Sequence, residues 1–303
     1  MNNSAIKLNG WLLTAACFIV VQGSLYAQTG TGSYNNGTSS TAIGNYAVTF
    51  GLGNQSSANY TGAFGHNSTA AGVGSFAVGE GCDAGGQDSF AAGSATLCNN
   101  SGVGEAAFGI NTYAQQSGAF ACGQNTQANW YSFAAGYYSN ASGWGSTAFG
   151  LNTVASNWGA TALGGNTAAT GNSSAAFNNG TTASGSCSSA FGVGTTSSGV
   201  YSASFGALTN AKAYSSFVIG ASNVGLNADG ATAANANSWQ VGDPLFEVGN
   251  GGNGSWSGNP AINHTSDAFV VYNNGNATVQ GTLTTGSVTV ATPSPDIPVY
   301  SGS

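Results

Sequence analysis

The sequence predicts an all-β fold: a parallel β-solenoid of about 13 coils. Three observations predict it. A motif that ends in glycine recurs with a 14-residue step; glycine, serine, threonine and asparagine fill the intervals; and good helix formers are scarce, with one methionine and two lysines in 303 residues. These small and polar residues favour turns and extended chain over helix. The period is also too short for helical repeats or propeller blades.

The closing glycine marks the same position in every coil. A period of 14 with a weaker half-period of 7 indicates two short strands and two tight turns per coil. The step departs from 14 twice: it is 16 between Gly93 and Gly109, and 13 between Gly123 and Gly136. Equivalent positions should stack into ladders about 4.8 Å apart over residues 38–222. The closing residues are Gly51, Gly65, Gly79, Gly93, Gly109, Gly123, Gly136, Gly150, Gly164, Asn178, Gly192, Gly206 and Gly220.

The N-terminus differs from the repeats. Lys7 precedes an apolar run that ends at the small residue Ala27, a pattern typical of a secretory signal peptide. We therefore expect residues 1–27 to be removed, residues 28–37 to form a flexible start, and the protein to be secreted or held at the cell surface. The sequence has no apolar stretch of about 20 residues, so we expect no membrane-spanning segment.

The strand before each closing glycine has two chemically different faces. The residue two before the glycine is almost always alanine, which suits the narrow interior of a short coil. The positions one and three before it share one large residue per coil, usually phenylalanine, and could face the coil interior or other chains. We favour packing between chains, because an exposed stripe of this size exceeds what a monomer tolerates. The predicted interface residues are Phe64, Phe108, Phe149, Phe177, Phe191 and Phe205.

The charges exclude some functions. After cleavage, Lys212 would be the only base beside nine acids, and phosphate binding needs clusters of bases, so nucleic acid is excluded as a partner. The two histidines are far apart and no catalytic motif occurs, so we expect neither an enzyme nor a cofactor. One local group of acids is interpreted as solvated turn residues rather than a calcium or other metal site. Its members are Glu80, Asp83, Asp88 and Glu105.

Three further sets of residues are candidates for a special role. Cys82 and Cys98 are 16 residues apart, so they could be ladder neighbours joined by a disulfide. Three tryptophans with a 14-residue step predict a ladder in one turn, which could bind a sugar or an apolar surface, or simply stiffen the fibre. They are Trp130, Trp144 and Trp158. A threonine column is the feature that an ice-binding face would use; it comprises Thr153, Thr167, Thr181 and Thr195.

The pattern changes after Gly220. Residues 223–283 read as a small β-rich neck or base, with strands at 246–248 and 269–272 and a hairpin turn at 273–276. Residues 284–303 contain several prolines and predict a flexible tail.

The repeat resembles a known family. The motif [S/T]-x-A-F/I-G followed by x-x-[S/T]-x-A-x-G, from about Thr38 to Gly220, is similar to the head repeats of trimeric autotransporter adhesins. The resemblance implies a left-handed parallel β-roll in which three chains pack side by side as a surface-exposed adhesive fibre. The sequence shows neither the heptad stalk nor the C-terminal membrane anchor of that family.

Three functions remain open. The leading hypothesis is a homotrimeric adhesin-like head that binds a surface, matrix protein or glycan through repeated weak contacts. The second is a structural subunit of an extracellular filament or coat. The third is a monomeric solenoid that binds ice or carbohydrate.

Overall fold

The computed structural model describes residues 19–21, 24–99, 101–225, 237–238, 240–251 and 266–280. Most of its strands stack into one parallel β-solenoid of about 13 coils with the predicted 14-residue spacing. Within these ranges, no helix is long and apolar enough to cross a membrane. The predicted tail at 284–303 and most of the predicted signal peptide lie outside the described residues.

Each coil contributes one long and one short strand, and the closing glycine is the fourth residue of the long strand. The long strands are β3 (Tyr34–Thr38), β5 (Val48–Leu52), β7 (Gly62–His66), β9 (Phe76–Glu80), β11 (Phe90–Ser94), β13 (Ala106–Ile110), β15 (Phe120–Gln124), β17 (Phe133–Tyr137), β19 (Thr147–Leu151), β21 (Thr161–Gly165), β23 (Ala175–Asn179), β25 (Ser189–Val193), β27 (Ala203–Ala207) and β29 (Phe217–Ala221). The short strands are β4 (Thr41–Ala42), β6 (Gln55–Ser56), β8 (Thr69–Ala70), β10 (Asp83–Ala84), β12 (Leu97–Cys98), β14 (Tyr113–Ala114), β16 (Gln127–Ala128), β18 (Asn140–Ala141), β20 (Val154–Ala155), β22 (Ala168–Ala169), β24 (Thr182–Ala183), β26 (Thr196–Ser197) and β28 (Asn210–Ala211). Strands outside this alternation are β1 (Ile19–Val21), β2 (Ser24–Gln28), β30 (Pro244–Asn250), β31 (Asp267–Tyr272) and β32 (Ala277–Val279).

Both sets of strands form parallel sheets in which each strand pairs with its equivalent in the next coil. The closing glycines are direct partners, as Gly136, Gly150 and Gly164 illustrate. Glycine suits this position for two reasons. At Gly150 the backbone has φ 133°, and a Cβ atom would lie 1.9 Å from the carbonyl oxygen of Gly164.

The two irregular steps are absorbed in the turn between each short strand and the long strand that follows, which we call the variable corner. A typical variable corner spans residues 142–146, between β18 and β19. The corner at 99–105 is longer and the corner at 129–132 is shorter. The sheets therefore stay in register on both sides of each irregular coil, and Gly93 still pairs with Gly109.

The interior of the coil is narrow and is built from four columns of small residues. In one coil these are Ser146, Ala148, Thr153 and Ala155, each at most 1% exposed. The Ser146 hydroxyl donates a hydrogen bond to the Gly143 carbonyl (2.8 Å) and so ties the interior to the variable corner. The predicted alanine column, to which Ala148 belongs, is confirmed, and serine, threonine and a second column of alanines fill most of the rest of the interior.

Strand pairing begins earlier in the chain than predicted. The β1–β2 pair is antiparallel, and β2 lies beside β4 in the short-strand sheet. β3 overlaps the segment 28–37, yet it pairs with β5 along its whole length. The expectation of a flexible segment is therefore wrong for residues 34–37, because they form a strand that is hydrogen-bonded to β5. Removal of residues 1–27 stays a prediction.

The segment expected as a separate neck, 223–283, continues the long-strand sheet where it is described. β30 pairs in parallel with β29, and β31 and β32 add two antiparallel strands. Both predicted strands and the predicted hairpin are confirmed; its turn closes with a hydrogen bond from the Tyr272 N–H to the Asn276 carbonyl (2.8 Å). Glu247 in β30 is buried beside Val218 and accepts a hydrogen bond from Asn223 (2.7 Å).

Candidate interaction surfaces

Phenylalanines from successive coils form one stripe on the outer face of the long-strand sheet, which we call the phenylalanine stripe. They lie one or three residues before the closing residue, on the strand face opposite the buried alanines. The alternative that they fill the coil interior is therefore wrong. All six predicted interface residues belong to the stripe and are partly or largely exposed: Phe64, Phe108, Phe149, Phe177, Phe191 and Phe205.

The rings of the stripe stack on one another along the solenoid axis. Ring centroids are 5.0–5.6 Å apart from Tyr34 to Phe133, and 4.6–5.9 Å apart from Phe177 to Phe246. Phenylalanine changes slot between coils without breaking this contact, because both slots lie on the same face. Phe149 lies between the two runs and is 53% exposed, which is the largest exposure in the stripe.

Four apolar residues beside the stripe escaped the sequence analysis. The residue after the closing glycine is Leu52, Ile110, Leu151 or Val193 in four coils, and each of these is largely exposed. Strand residues two apart share a face, so these four lie beside the stripe. Other coils carry polar residues at this position, such as His66 and Glu80, so the four widen the apolar surface only locally.

The three predicted binding residues lie together at the variable corner. Trp130, Trp144 and Trp158 are 43%, 50% and 60% exposed on successive rungs. The ring centroids of Trp144 and Trp158 are 5.4 Å apart and nearly perpendicular, at 74°. Tyr131, which the sequence analysis missed, lies 6.3 Å from Trp130 and 5.6 Å from Trp144. We call these four residues the aromatic ridge.

The backbone of the corner holds the ridge in place. The side-chain oxygens of Asn129 and Asn157 each accept a hydrogen bond from the N–H of the following tryptophan (3.1 Å). Tyr131 has φ 49°, a left-handed conformation for which the next two coils use Gly145 and Gly159. A non-glycine residue in that conformation costs roughly 1–2 kcal/mol. The strained tyrosine lies in the shortest corner of the solenoid, 129–132.

The surroundings of the ridge carry no charge. Between Glu105 and Lys212 the sequence contains no aspartate, glutamate, lysine, arginine or histidine. The hydrogen-bonding groups near the ridge are therefore hydroxyls, amides and backbone groups.

The interpretation of the acids as solvated is wrong for Glu105. Glu105 faces the interior of the coil and is 1% exposed. It lies in the column that holds Ser89 and Ala119 in adjacent coils. Neither carboxyl oxygen has a hydrogen-bond partner among the described residues. Burial raises the pKa of Glu105 to about 7. Position alone could have revealed this, because Glu105 precedes its closing glycine by the same four residues as Ser89 and Ala119 do.

The other three acids divide by burial. Glu80 and Asp88 are exposed, as expected of solvated residues. Asp83 in β10 is partly buried, and this burial raises the pKa of its carboxyl group. Among the described residues, no group of three histidine, cysteine, aspartate or glutamate side chains could hold a metal ion.

The predicted disulfide between Cys82 and Cys98 is wrong, since both thiols are free. The longer corner begins after Cys98, so Cys98 pairs with Ala84, two residues beyond Cys82. Cys82 lies instead in the threonine column, where its thiol donates to the carbonyls of Val78 (3.2 Å) and Gly93 (3.3 Å). Burial, and then the nearby Glu105, raise the pKa of Cys98 to about 12.

The threonine column is also not a surface. Its members are at most 1% exposed, because the position three after the closing residue faces the interior. An ice-binding face built on it is therefore wrong. The buried members are Thr153, Thr167, Thr181 and Thr195.

No protein-family model matches the chain, and no curated protein matches it. The two exposed aromatic surfaces, the phenylalanine stripe and the aromatic ridge, are the candidate functional surfaces of the chain.

Proposed function

We propose that this chain is a non-enzymatic, exported fibre head that assembles side by side with copies of itself, most simply as a homotrimer, and attaches to a surface, matrix protein or glycan. The observation that carries the proposal is the phenylalanine stripe. It runs along the outside of the solenoid from Phe50 into the C-terminal strands, where Phe217, Phe246 and Phe269 remain in ring contact.

The energetics of the stripe support assembly. Burying one phenylalanine contributes about 1.5–3 kcal/mol, so covering even half of the stripe would outweigh the ordering cost of association. The long strands are in register from coil to coil, so a second copy can lie parallel to the first and meet the same surface at every rung. A repeated weak contact of this kind also suits an adhesive function, because several copies bind one surface with added avidity.

Sedimentation equilibrium of residues 28–303 tests the proposal. We expect the mass of three chains. A single-chain mass that persists at high concentration would contradict the proposal.

A charged substitution on the stripe sharpens this test. Phe149 is exposed and its rung neighbours are Ala135 and Leu163, so Phe149→Lys should leave the single chain folded. We expect it to dissociate the assembly, because each copy would bring a like charge into the interface. Tyr201→Lys is the matched control: Tyr201 is equally exposed, at 56%, but lies at the variable corner, so the mass should not change.

The filament hypothesis is the second candidate, because exposed apolar residues beside the stripe, such as Leu52 and Leu151, locally widen the face that a partner could cover. In that case the mass would rise with concentration without limit, instead of reaching a plateau at three chains. The same Phe149→Lys variant would then shorten the polymer.

A further inference from the structure

We propose that the aromatic ridge at the variable corner is a binding site for an uncharged polysaccharide chain that lies along the fibre axis. This inference deepens the proposed function and rests on it for the expectation that the chain is displayed outside the cell. The site comprises Trp130, Tyr131, Trp144 and Trp158.

The first argument is the exposure and spacing of the rings. Each tryptophan of the ridge leaves about half of its surface uncovered, although burial of such a side chain is strongly favourable. From one rung to the next, the ring centroids are 5.6 Å apart between Tyr131 and Trp144 and 5.4 Å apart between Trp144 and Trp158, close to the span of one hexose unit. Sugar rings offer apolar C–H faces that pack on aromatic rings. Because neighbouring rings of the ridge are nearly perpendicular, at 70° and 74°, a sugar would pack on the face of one ring and against the edge of the next.

The second argument is a row of hydroxyl groups beside the rings. Ser142 and Ser156 are exposed and lie two residues before Trp144 and Trp158, and Thr170 occupies the same place in the next coil. A hydroxyl both donates and accepts hydrogen bonds, as sugar hydroxyls do. Rings and hydroxyls therefore run in parallel, which is the pairing of apolar and polar contacts that a sugar chain needs.

The third argument is that Tyr131 makes the row of rings continuous. Its position in the corner is filled by Gly118 in the preceding coil and by Gly145 in the following one, which carry no ring. Several other coils hold a non-glycine residue with positive φ at this position, Tyr201 among them, so what distinguishes Tyr131 is its contact with the tryptophans and not its backbone conformation. The tyrosine fills the gap between Trp130 and Trp144, so the ridge is continuous over three rungs.

The fourth argument selects an uncharged ligand. No charged side chain occurs between Glu105 and Lys212, so the ridge offers no counter-ion for a sulfated or uronic-acid polymer. Binding such a polymer would require removing water from its charges without compensation. A neutral polysaccharide carries no such cost.

The fifth argument concerns the other occupant that an exposed aromatic surface could have, a second copy of the chain. The ridge spans three rungs, whereas the phenylalanine stripe runs through the whole solenoid. An interface between in-register copies would be expected to extend beyond three coils. The ridge therefore fits a local ligand better than a copy of the fibre.

Affinity electrophoresis tests the inference. Residues 28–303 are run in gels that contain dextran, laminarin or hydroxyethyl cellulose, and in a gel that contains alginate. We expect retardation by at least one neutral polymer and none by alginate. Unchanged migration in all three neutral gels, or retardation by alginate alone, would overturn the inference.

Two variants locate the site. Trp144→Ala with Trp158→Ala should weaken retardation about tenfold, since two aromatic contacts are lost. Tyr131→Gly should weaken it and also relieve strain; its matched control is Tyr201→Gly, which relieves the same strain (φ 60°) outside the ridge and should bind as the parent does. A loss of mass in the double variant would instead identify the ridge as an interface between copies. Retardation of a single-chain protein would contradict the proposed assembly while upholding the sugar site.

Discussion

The carboxyl group of Glu105 occupies the space beside the α-carbon of Gly102: a Cβ atom at Gly102 would lie 1.5 Å from Glu105 Oε1. Gly86 in the preceding coil makes room on the other side, where a Cβ atom would lie 2.3 Å from Oε2. Two glycines thus accommodate an inward-facing acid in a column that otherwise holds serine, alanine or, at Thr61, threonine. Gly102 and Glu105 both belong to the longer corner at 99–105.

The buried carboxyl should make stability depend on pH. The pKa of Glu105 is about 7 in the folded chain and 4.5 in its ordinary state, so the folded chain binds its proton more tightly. Stability is therefore greatest below pH 4.5 and falls as the pH rises to 7, by about 3 kcal/mol for this group. Asp83 acts in the same direction, because burial raises its pKa too. Urea unfolding midpoints between pH 4 and pH 8 measure the effect.

Glu105→Gln is the control for this prediction, since glutamine has the same shape and does not titrate. We expect a much flatter dependence on pH, with the residual slope due to Asp83 and Asp267, whose pKa values are also raised by burial. An equal slope in both chains would show that Glu105 is ionised or solvated in the folded state.

The contact between Glu105 and Gly102 predicts an energetic coupling. Gly102→Ala should destabilise the chain by about 2–3 kcal/mol, because the new methyl group overlaps the carboxyl group. In a Glu105→Ala background the same substitution should cost less than about 1 kcal/mol. A double-mutant cycle by urea unfolding measures the difference. Equal costs in the two backgrounds would contradict the described packing.

Two glycines of one coil should differ sharply in their tolerance of alanine. Gly150→Ala combines a left-handed backbone with a Cβ atom 1.9 Å from the Gly164 carbonyl oxygen, so we expect a loss above about 3 kcal/mol. Gly145 has φ 63°, but a Cβ atom there would have nothing within 4 Å. Gly145→Ala should therefore lower the free energy of unfolding by only about 1 kcal/mol. Thermal unfolding of both variants tests the ranking. The reverse order would contradict the ladder register.

Two hydroxyls of the same interior column should also differ. Ser139 donates to the carbonyls of Ala135 (2.9 Å) and Gly150 (2.8 Å), whereas the Thr153 hydroxyl has no partner among the described residues. Ser139→Ala should therefore cost about 1–2 kcal/mol, while Thr153→Val should be neutral or stabilising. Unfolding free energies compare the two; a larger loss for Thr153→Val would show that its hydroxyl is bonded after all.

Much of the fold follows from the spacing of the closing glycine. Because a coil this short leaves room only for small side chains, Ala148 must face inward and Phe149 outward. Counting residues from the closing glycine through the rest of the coil would also have placed Thr153 and Glu105 in the interior. The place of the longer corner could not be found this way. A 16-residue step allows the extra residues on either side of Cys98, and only the pairing of Cys98 with Ala84 decides it.

The aromatic ridge was partly predictable. A 14-residue step between Trp130, Trp144 and Trp158 placed them in one turn, but the 13-residue coil hid Tyr131 from the pattern. Tyrosine also occupies the same corner position at Tyr46, Tyr60 and Tyr201, so residue type gave no warning that Tyr131 contacts the tryptophans.

Because changes of length are confined to the variable corner, this corner and the long-strand sheet can change independently in evolution. Residues can be gained or lost at the variable corner without shifting a rung of the long-strand sheet, so the aromatic ridge can change while the phenylalanine stripe keeps its register. A whole coil can likewise be duplicated or deleted, changing the length of the solenoid by about 4.8 Å each time. The solenoid therefore tolerates changes of length at one corner while the spacing of its rungs stays constant.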